Sequence, residues 1–300
     1  MPIAVLCLSV RPRRRLAPDA ARTPVVAAVL AATLAIPLAN AAGQGAAQPT
    51  RIPDTVFLEE LTWTEVRELQ RAGKTAVIIP TAGTEQKGPH MVTGEHKFVM
   101  THAAEQIARR LGNALVAPVI TYVPEGSWEP PLRGHMAKAG SITLPEDRFI
   151  ELLVHAGESL RAGGFSTVIL IGDSGGNQSG MKAAADRLNA SWLEQGPRAL
   201  FIGDYYARSV EDMNRYLAGL GYSRQEIGTH AGMLDTSELL YVNPSLVRRD
   251  KLAPGGGFPD SGVSGDPTKA SAEIGKALVE IKVVNAVAQI RALLATGGDR

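Results

Sequence analysis

The stretch VILIGDSGGNQSG, Val168 to Gly180, decides the fold. Its opening Val-Ile-Leu-Ile run is apolar without alternation, the pattern of a strand buried on both faces. Gly172, Gly175 and Gly176 interrupt it, and NQSGMKAAADRLNASWLEQG continues as a helix. The same step recurs in both directions. Towards the N-terminus, TAVIIP (Thr75 to Pro80) and ALVAPVI read as further buried strands, and HKFVMTHAAEQIARRLG carries a helical stripe at Val99, Ala103, Ile107 and Leu111. Thr62-Trp63-Thr64-Glu65 is a capping box that opens the helix EVRELQRAG. PEDRFIELLVHAGESLRAGGF reads as a helix, RALFIGDYY as a strand, and SAEIGKALVEIKVVNAVAQIRALLA as a long closing helix. Strands alternating with helices predict an α/β domain, a three-layer α/β/α sandwich around a largely parallel sheet.

In such folds the active site gathers beyond the carboxyl ends of the strands. The polar segments TAGTEQKGPH, YVPEGSWEPPLRGH, DSGGNQ and DYY all follow strands here, which points to an enzyme. The charge is balanced at +1, no basic block lies beyond the N-terminus, and aromatics are only 5%. Those figures exclude a nucleic-acid partner and an aromatic sugar platform.

The N-terminus has another character. Arg11, Arg13, Arg14, Arg15 and Arg22 precede TPVVAAVLAATLAIPLANAAG, which contains the A-x-A pattern Ala39-Asn40-Ala41. Residues 1–41 are therefore expected to be a signal peptide, 42–53 a disordered linker, and 54–300 a single domain. Pro37 speaks against the alternative, an uncleaved anchor helix. The mature protein is expected to be exported, periplasmic or secreted, with no membrane contact after cleavage. Cys7, the one cysteine, lies in the leader, so disulfides and thiolate metal sites are excluded from the mature chain.

Gly172-Asp173-Ser174-Gly175-Gly176 also fits G-x-S-x-G, with Asp204 and His230 following in the chain order of an α/β-hydrolase triad. A plain turn capped by Ser174 or Asn177 explains the same residues.

The remaining motifs favour another chemistry. PTAGTEQKGPHMVTGEH (Pro80 to His96) resembles G-S-x-E-Q-H-G-P-H-L-P-x-x-T-D, the first signature of the creatininase family of metal-dependent amidohydrolases. AGSITL is similar to its P-G-T-I-S-L, GDSGGN to N-G-H-G-G-N, HAGMLDTSELL to H-A-G-E-x-E-T-S, and GVSGDPTKASAEIGKAL to its closing G-x-x-G-D-P motif. The order and spacing hold from about Leu58 onward. The resemblance implies a homo-oligomer, often a hexamer, acting on a small molecule.

It also implies a two-metal site, and here the sequence departs from the family. Glu85 matches the family glutamate, but Lys87 and Ser174 stand where it has histidines, His96 where it has the bridging aspartate, and Met233 and Asp235 where it has glutamates. An ammonium has no lone pair for a metal. What remains is one divalent ion, Zn or Mn, on Glu85, His96 and either Asp173 or Asp235. His230 is the expected general acid/base, with Lys87 as oxyanion donor. His90, Trp128, His135, Gly175, Gly176, Asn177, Asp204 and Tyr205 are candidates for the substrate pocket.

Three functions stay open at this point. They are a metal-dependent hydrolase of an amide-type C–N bond in a small or cyclic substrate, a metal-free hydrolase using Ser174 with Lys87 or His230, and a noncatalytic binding protein. A purely structural network would pair Lys87 with Glu85 or Asp235, and His96 with Asp173.

Overall fold

A computed structural model describes residues 52–192 and 196–296. The expected signal peptide, and all of the linker but Ile52 and Pro53, lie outside the described residues. Strand β1 (Ala76–Thr81) pairs in parallel with β2 (Ala114–Val116) on one side and with the later strand Thr167–Gly172 on the other. Between these strands the chain forms a short antiparallel hairpin, β3 (Gly126–Ser127) with β4 (Arg133–Gly134). The strand Thr167–Gly172 is therefore β5, and β6 (Arg198–Phe201) completes a four-stranded parallel sheet in the order β2-β1-β5-β6.

Every residue of β1 and β5 is buried, so both faces need apolar side chains, which explains the unalternated runs. The pleat sends Ile78, Ile169 and Ile171 to one face, where α2 (Glu95–Leu111) and α8 (Ala272–Ala295) cover them. Val77, Ile79, Val168 and Leu170 point to the other face, under α3 (Glu146–Ala162) and α4 (Gln178–Ser191). Each such side chain contributes roughly 1.5–3 kcal/mol of burial. The three-layer α/β/α expectation holds.

Helix α1 (Trp63–Arg71) opens on Thr62, whose side chain accepts from the Glu65 amide while Glu65 returns a bond to the Thr62 amide. After β6 come α5 (Ala207–Gly219), the single-turn α6 (Arg224–Ile227) and α7 (Met233–Val242). Helix α7 lies against α8 so closely that a Cβ on Gly275 would strike the Ser237 carbonyl. No helix among the described residues is long and apolar enough to cross a membrane.

Two features place the site. Strands β1 and β5 end side by side at Thr81 and Gly172, so TAGTEQK and DSGGN leave the sheet at the same edge. A Cβ on Gly172 would meet the side chains of Thr81 and Met181, which pack tightly against this strand end.

Candidate active site

Beyond that edge lies a cavity of about 910 Å³. Its floor is a buried network of charges. The Lys87 ammonium lies 2.9 Å from Asp235 Oδ2, 3.1 Å from Glu85 Oε1 and 3.3 Å from Glu95 Oε2. An ammonium has three N–H groups, and here each has a carboxylate. Burial alone would discharge this lysine, but Asp235, Glu95 and Glu85 hold its pKa well above the ordinary value. Lys87 is therefore a fixed cation with no donor left for an oxyanion, contrary to expectation.

His96 sits in the same network. Its Nε2 is 3.1 Å from Glu85 Oε1, and its Nδ1 is 3.2 Å from Glu95 Oε2 and 3.5 Å from Asp173 Oδ2. Burial and Lys87 oppose its charge, yet Glu95, Glu85 and Asp173 outweigh them and raise its pKa well above the usual range. With carboxylates at both nitrogens, His96 is an imidazolium and has no lone pair for a metal. The expected ligand set of Glu85, His96 and Asp173 or Asp235 is corrected accordingly. Asp173 is taken up by Lys282 at 2.8 Å, and Asp235 accepts from Lys87 and from the Ala231 amide at 2.8 Å.

Lys282, from the middle of α8, lies 2.7 Å from Glu238 as well. Two carboxyls share this one ammonium, so only one of them needs to ionise. Asp173 does, because Lys282 and His96 overcome its burial. Burial and the Asp173 charge instead push Glu238 up to about 8.

A second grouping faces the cavity. Ligand atoms of Glu85, His135 and His230 all lie within 4.8 Å of one another. His135 Nε2 is 3.1 Å from Glu85 Oε2, and His230 Nδ1 is 3.7 Å from Glu85 Oε1. His230 Nε2 lies 2.8 Å from the Gln86 carbonyl, an oxygen that can only accept. The Gln86 side-chain amide lies 2.9 Å from the same nitrogen, so Gln86 engages Nε2 while Nδ1 faces Glu85. Burial keeps both rings neutral, and with Lys87 nearby it lowers His230 to about 4. Burial would raise Glu85, but Lys87 and His96 keep it well below the usual carboxylate range. One carboxylate and two neutral imidazoles form a donor set suited to a divalent ion.

The other expected residues divide clearly. Ser174, Gly175, Gly176 and His135 line the cavity. Among the described residues the Ser174 hydroxyl has no hydrogen bond to Lys87 or His230, whose polar atoms are bonded to Asp235 and Gln86. Asn177 is fully buried beneath the turn, Tyr205 is buried in the core, and His90 bonds to Thr236 at 2.9 Å behind the site. Asp204 interacts with Arg208 outside the cavity, and Trp128 is 52% exposed on the loop between β3 and β4. Tyr206, which follows the same strand and is also expected from the DYY segment to line the pocket, is the tyrosine that does so.

Sequence reading missed Glu95, Glu125, Glu238, Lys282 and Arg224. Glu125 lines the cavity beside Glu85, and burial together with its hydrogen bond to Glu85 raises it to about 9.

A family model described as creatininase (creatinine amidohydrolase) matches residues 59–290. The chain belongs to the creatininase family. Among curated creatininase-family relatives, the mycofactocin precursor peptide peptidase of Mycobacterium ulcerans is 25% identical over 240 residues, covering 72% of this chain and 84% of that protein. The 3-dehydro-scyllo-inosose hydrolase of Thermotoga maritima is 29% identical over 124 residues, 41% of this chain and 37% of that protein. A crystal structure of creatinine amidohydrolase superposes with a TM-score of 0.65 at 22% identity, covering 79% of this chain and 97% of that one. At that identity the creatininase structures show a shared fold.

Proposed function

We propose that the protein is a hydrolase of amide-type C–N bonds that uses one divalent metal ion held by Glu85, His135 and His230. The observation that carries this reading is the convergence of one carboxylate and two neutral imidazoles on a cavity wall. Solved structures of creatininase with Mn and of a mutant creatininase of Zn-Zn type share the fold, which makes Zn and Mn the ions to try first. Two ions do not fit, because the Lys87 ammonium fills the space among Glu85, Glu95 and Asp235. The bound ion would polarise the scissile carbonyl and lower the pKa of an attacking water. Water adds to the carbonyl carbon, the C–N bond breaks, and the leaving nitrogen needs a proton. Glu125, facing the cavity beside Glu85, is the group placed to give it. His230 has Nε2 engaged by Gln86 and Nδ1 turned to Glu85, which supports a ligand role in place of the expected acid–base role.

Elemental analysis of untagged protein tests the reading. About one equivalent of Zn or Mn per chain is expected, lost in His135→Ala and His230→Ala but kept in His96→Ala. Metal retained in both of the first two variants, or absent from wild type after incubation with Zn and Mn, sinks the site.

We also infer export through the 1–41 leader, leaving 54–300 as the working domain, and assembly into a homo-oligomer. The exposed Tyr122, Trp128 and Leu132 support an interface. Light scattering of the purified protein, and the N-terminal mass of protein secreted by an expressing cell, test these two points.

A further inference from the structure

The cations around the cavity are not equivalent. Lys87 has three carboxylates and Lys282 has two, all within hydrogen-bonding or ion-pair distance. His96 meets carboxylates at both ring nitrogens. Lys87 and His96 are fully engaged, and Lys282 is buried and held between two carboxyls. Arg224 also lines the cavity, and among the described residues it makes no salt bridge. The nearest acid in sequence, Glu226, is turned away, because its carboxylate is bound to the Ser223 hydroxyl and amide at the helix cap.

Arg224 is also well placed relative to the metal-binding trio. It begins α6, and Gly228, Thr229 and His230 follow directly after that helix. Four helical residues rise only about 6 Å. Arg224 and His230 line the same cavity, so one bound molecule can meet both. The same cavity is lined by Thr229, by Tyr206 at the cap of α5, and by Val210 and Asn214 within α5, which suit an uncharged part of the substrate.

Resting on the hydrolase reading above, we propose that Arg224 is the specificity residue of this cavity and binds a carboxylate of the substrate. The substrate class is then an amide that also bears a free carboxylate, such as an N-acyl amino acid or a short peptide end, in place of a neutral cyclic amide. A guanidinium binds a carboxylate through two parallel N–H···O bonds, which fixes orientation as well as charge.

The test uses matched pairs of N-acyl amino acids and their C-terminal carboxamides, hippurate and hippuramide first. Binding to the Zn- or Mn-supplied full chain is measured by calorimetry, and amine release is followed in parallel. In wild type at least one carboxylate should outbind its carboxamide by about tenfold or more. Arg224→Gln should collapse that ratio towards one, chiefly through KM where turnover occurs, and Arg224→Lys should restore part of it. A panel in which no carboxylate outbinds its carboxamide, or a preference that survives Arg224→Gln in a variant with wild-type melting temperature, overturns the proposal. A carboxylate preference without turnover of any pair counts against the hydrolase reading and leaves the role of Arg224 standing. Turnover without a preference does the reverse.

Discussion

Lys87→Ala would leave Glu85, Glu95 and Asp235 facing one another with no counter-charge between them. Removing one partner from a buried ion pair costs about 3–5 kcal/mol, so denaturant unfolding should show a loss of that order. The vacated space is walled by oxygens, and added Zn or Mn should recover much of the loss in the variant. A variant as stable as wild type, or one indifferent to metal, would contradict the network as drawn. Glu125→Gln keeps the shape of its side chain and removes the proton. It should lower kcat by about 10²–10⁴ while metal content stays at the wild-type level, and equal kcat values would remove Glu125 from the mechanism. The site was only partly legible at this scale. Glu85 stood out because it matches a recognisable motif, and Lys87 and His96 because they interrupt it. His135 lies in a Gly/Pro-rich loop, where sequence gives no direction for a side chain. Glu95, Glu238 and Lys282 lie inside helices, where a charged residue reads as surface until a partner from a distant segment is known. Lys282 reaches Asp173 across 109 positions of sequence.

Helices α7 and α8 illustrate what packing adds to periodicity. Both carry residues of the charge network, Asp235 and Glu238 on one and Lys282 on the other, and their separation at Gly275 is set by the absence of a side chain. Gly275→Ala should overpack this contact and cost about 1–3 kcal/mol. Its melting temperature should fall, against an unchanged value for Gly219→Ala, where a Cβ meets nothing within 4 Å. The large elements were readable in advance. VILIG and AVIIP could be little else than strands buried on both faces, and α2, α3, α4 and α8 all carry apolar stripes or runs. The β3–β4 hairpin was not readable, because two-residue strands carry no periodicity. Its pairing is held by the backbones of Gly126 and Gly134, whose positive φ values only glycine adopts freely.

Across the whole molecule, the buried acids couple stability to pH. Glu238 keeps its proton in the folded state up to about 8, whereas the unfolded chain releases it near the ordinary value of 4.5. Between those values the folded state binds more protons, so this residue makes stability fall as pH rises. Glu238→Gln keeps an oxygen for Lys282 and cannot ionise. The difference in melting temperature between pH 5.5 and pH 8 should therefore be smaller in the variant, and an equal slope would show that Glu238 ionises normally. Lys87 has a different consequence at this scale. An ion held only by ligands exchanges with its surroundings, whereas an ammonium carried on its own side chain cannot leave. Were a chelator to take an ion from the proposed Glu85–His135–His230 site, Glu85 would still have Lys87 and His96 for company, and the cavity floor would keep its neutralising charges. The protein should then endure metal starvation as a folded, dormant molecule that resumes work when the ion returns.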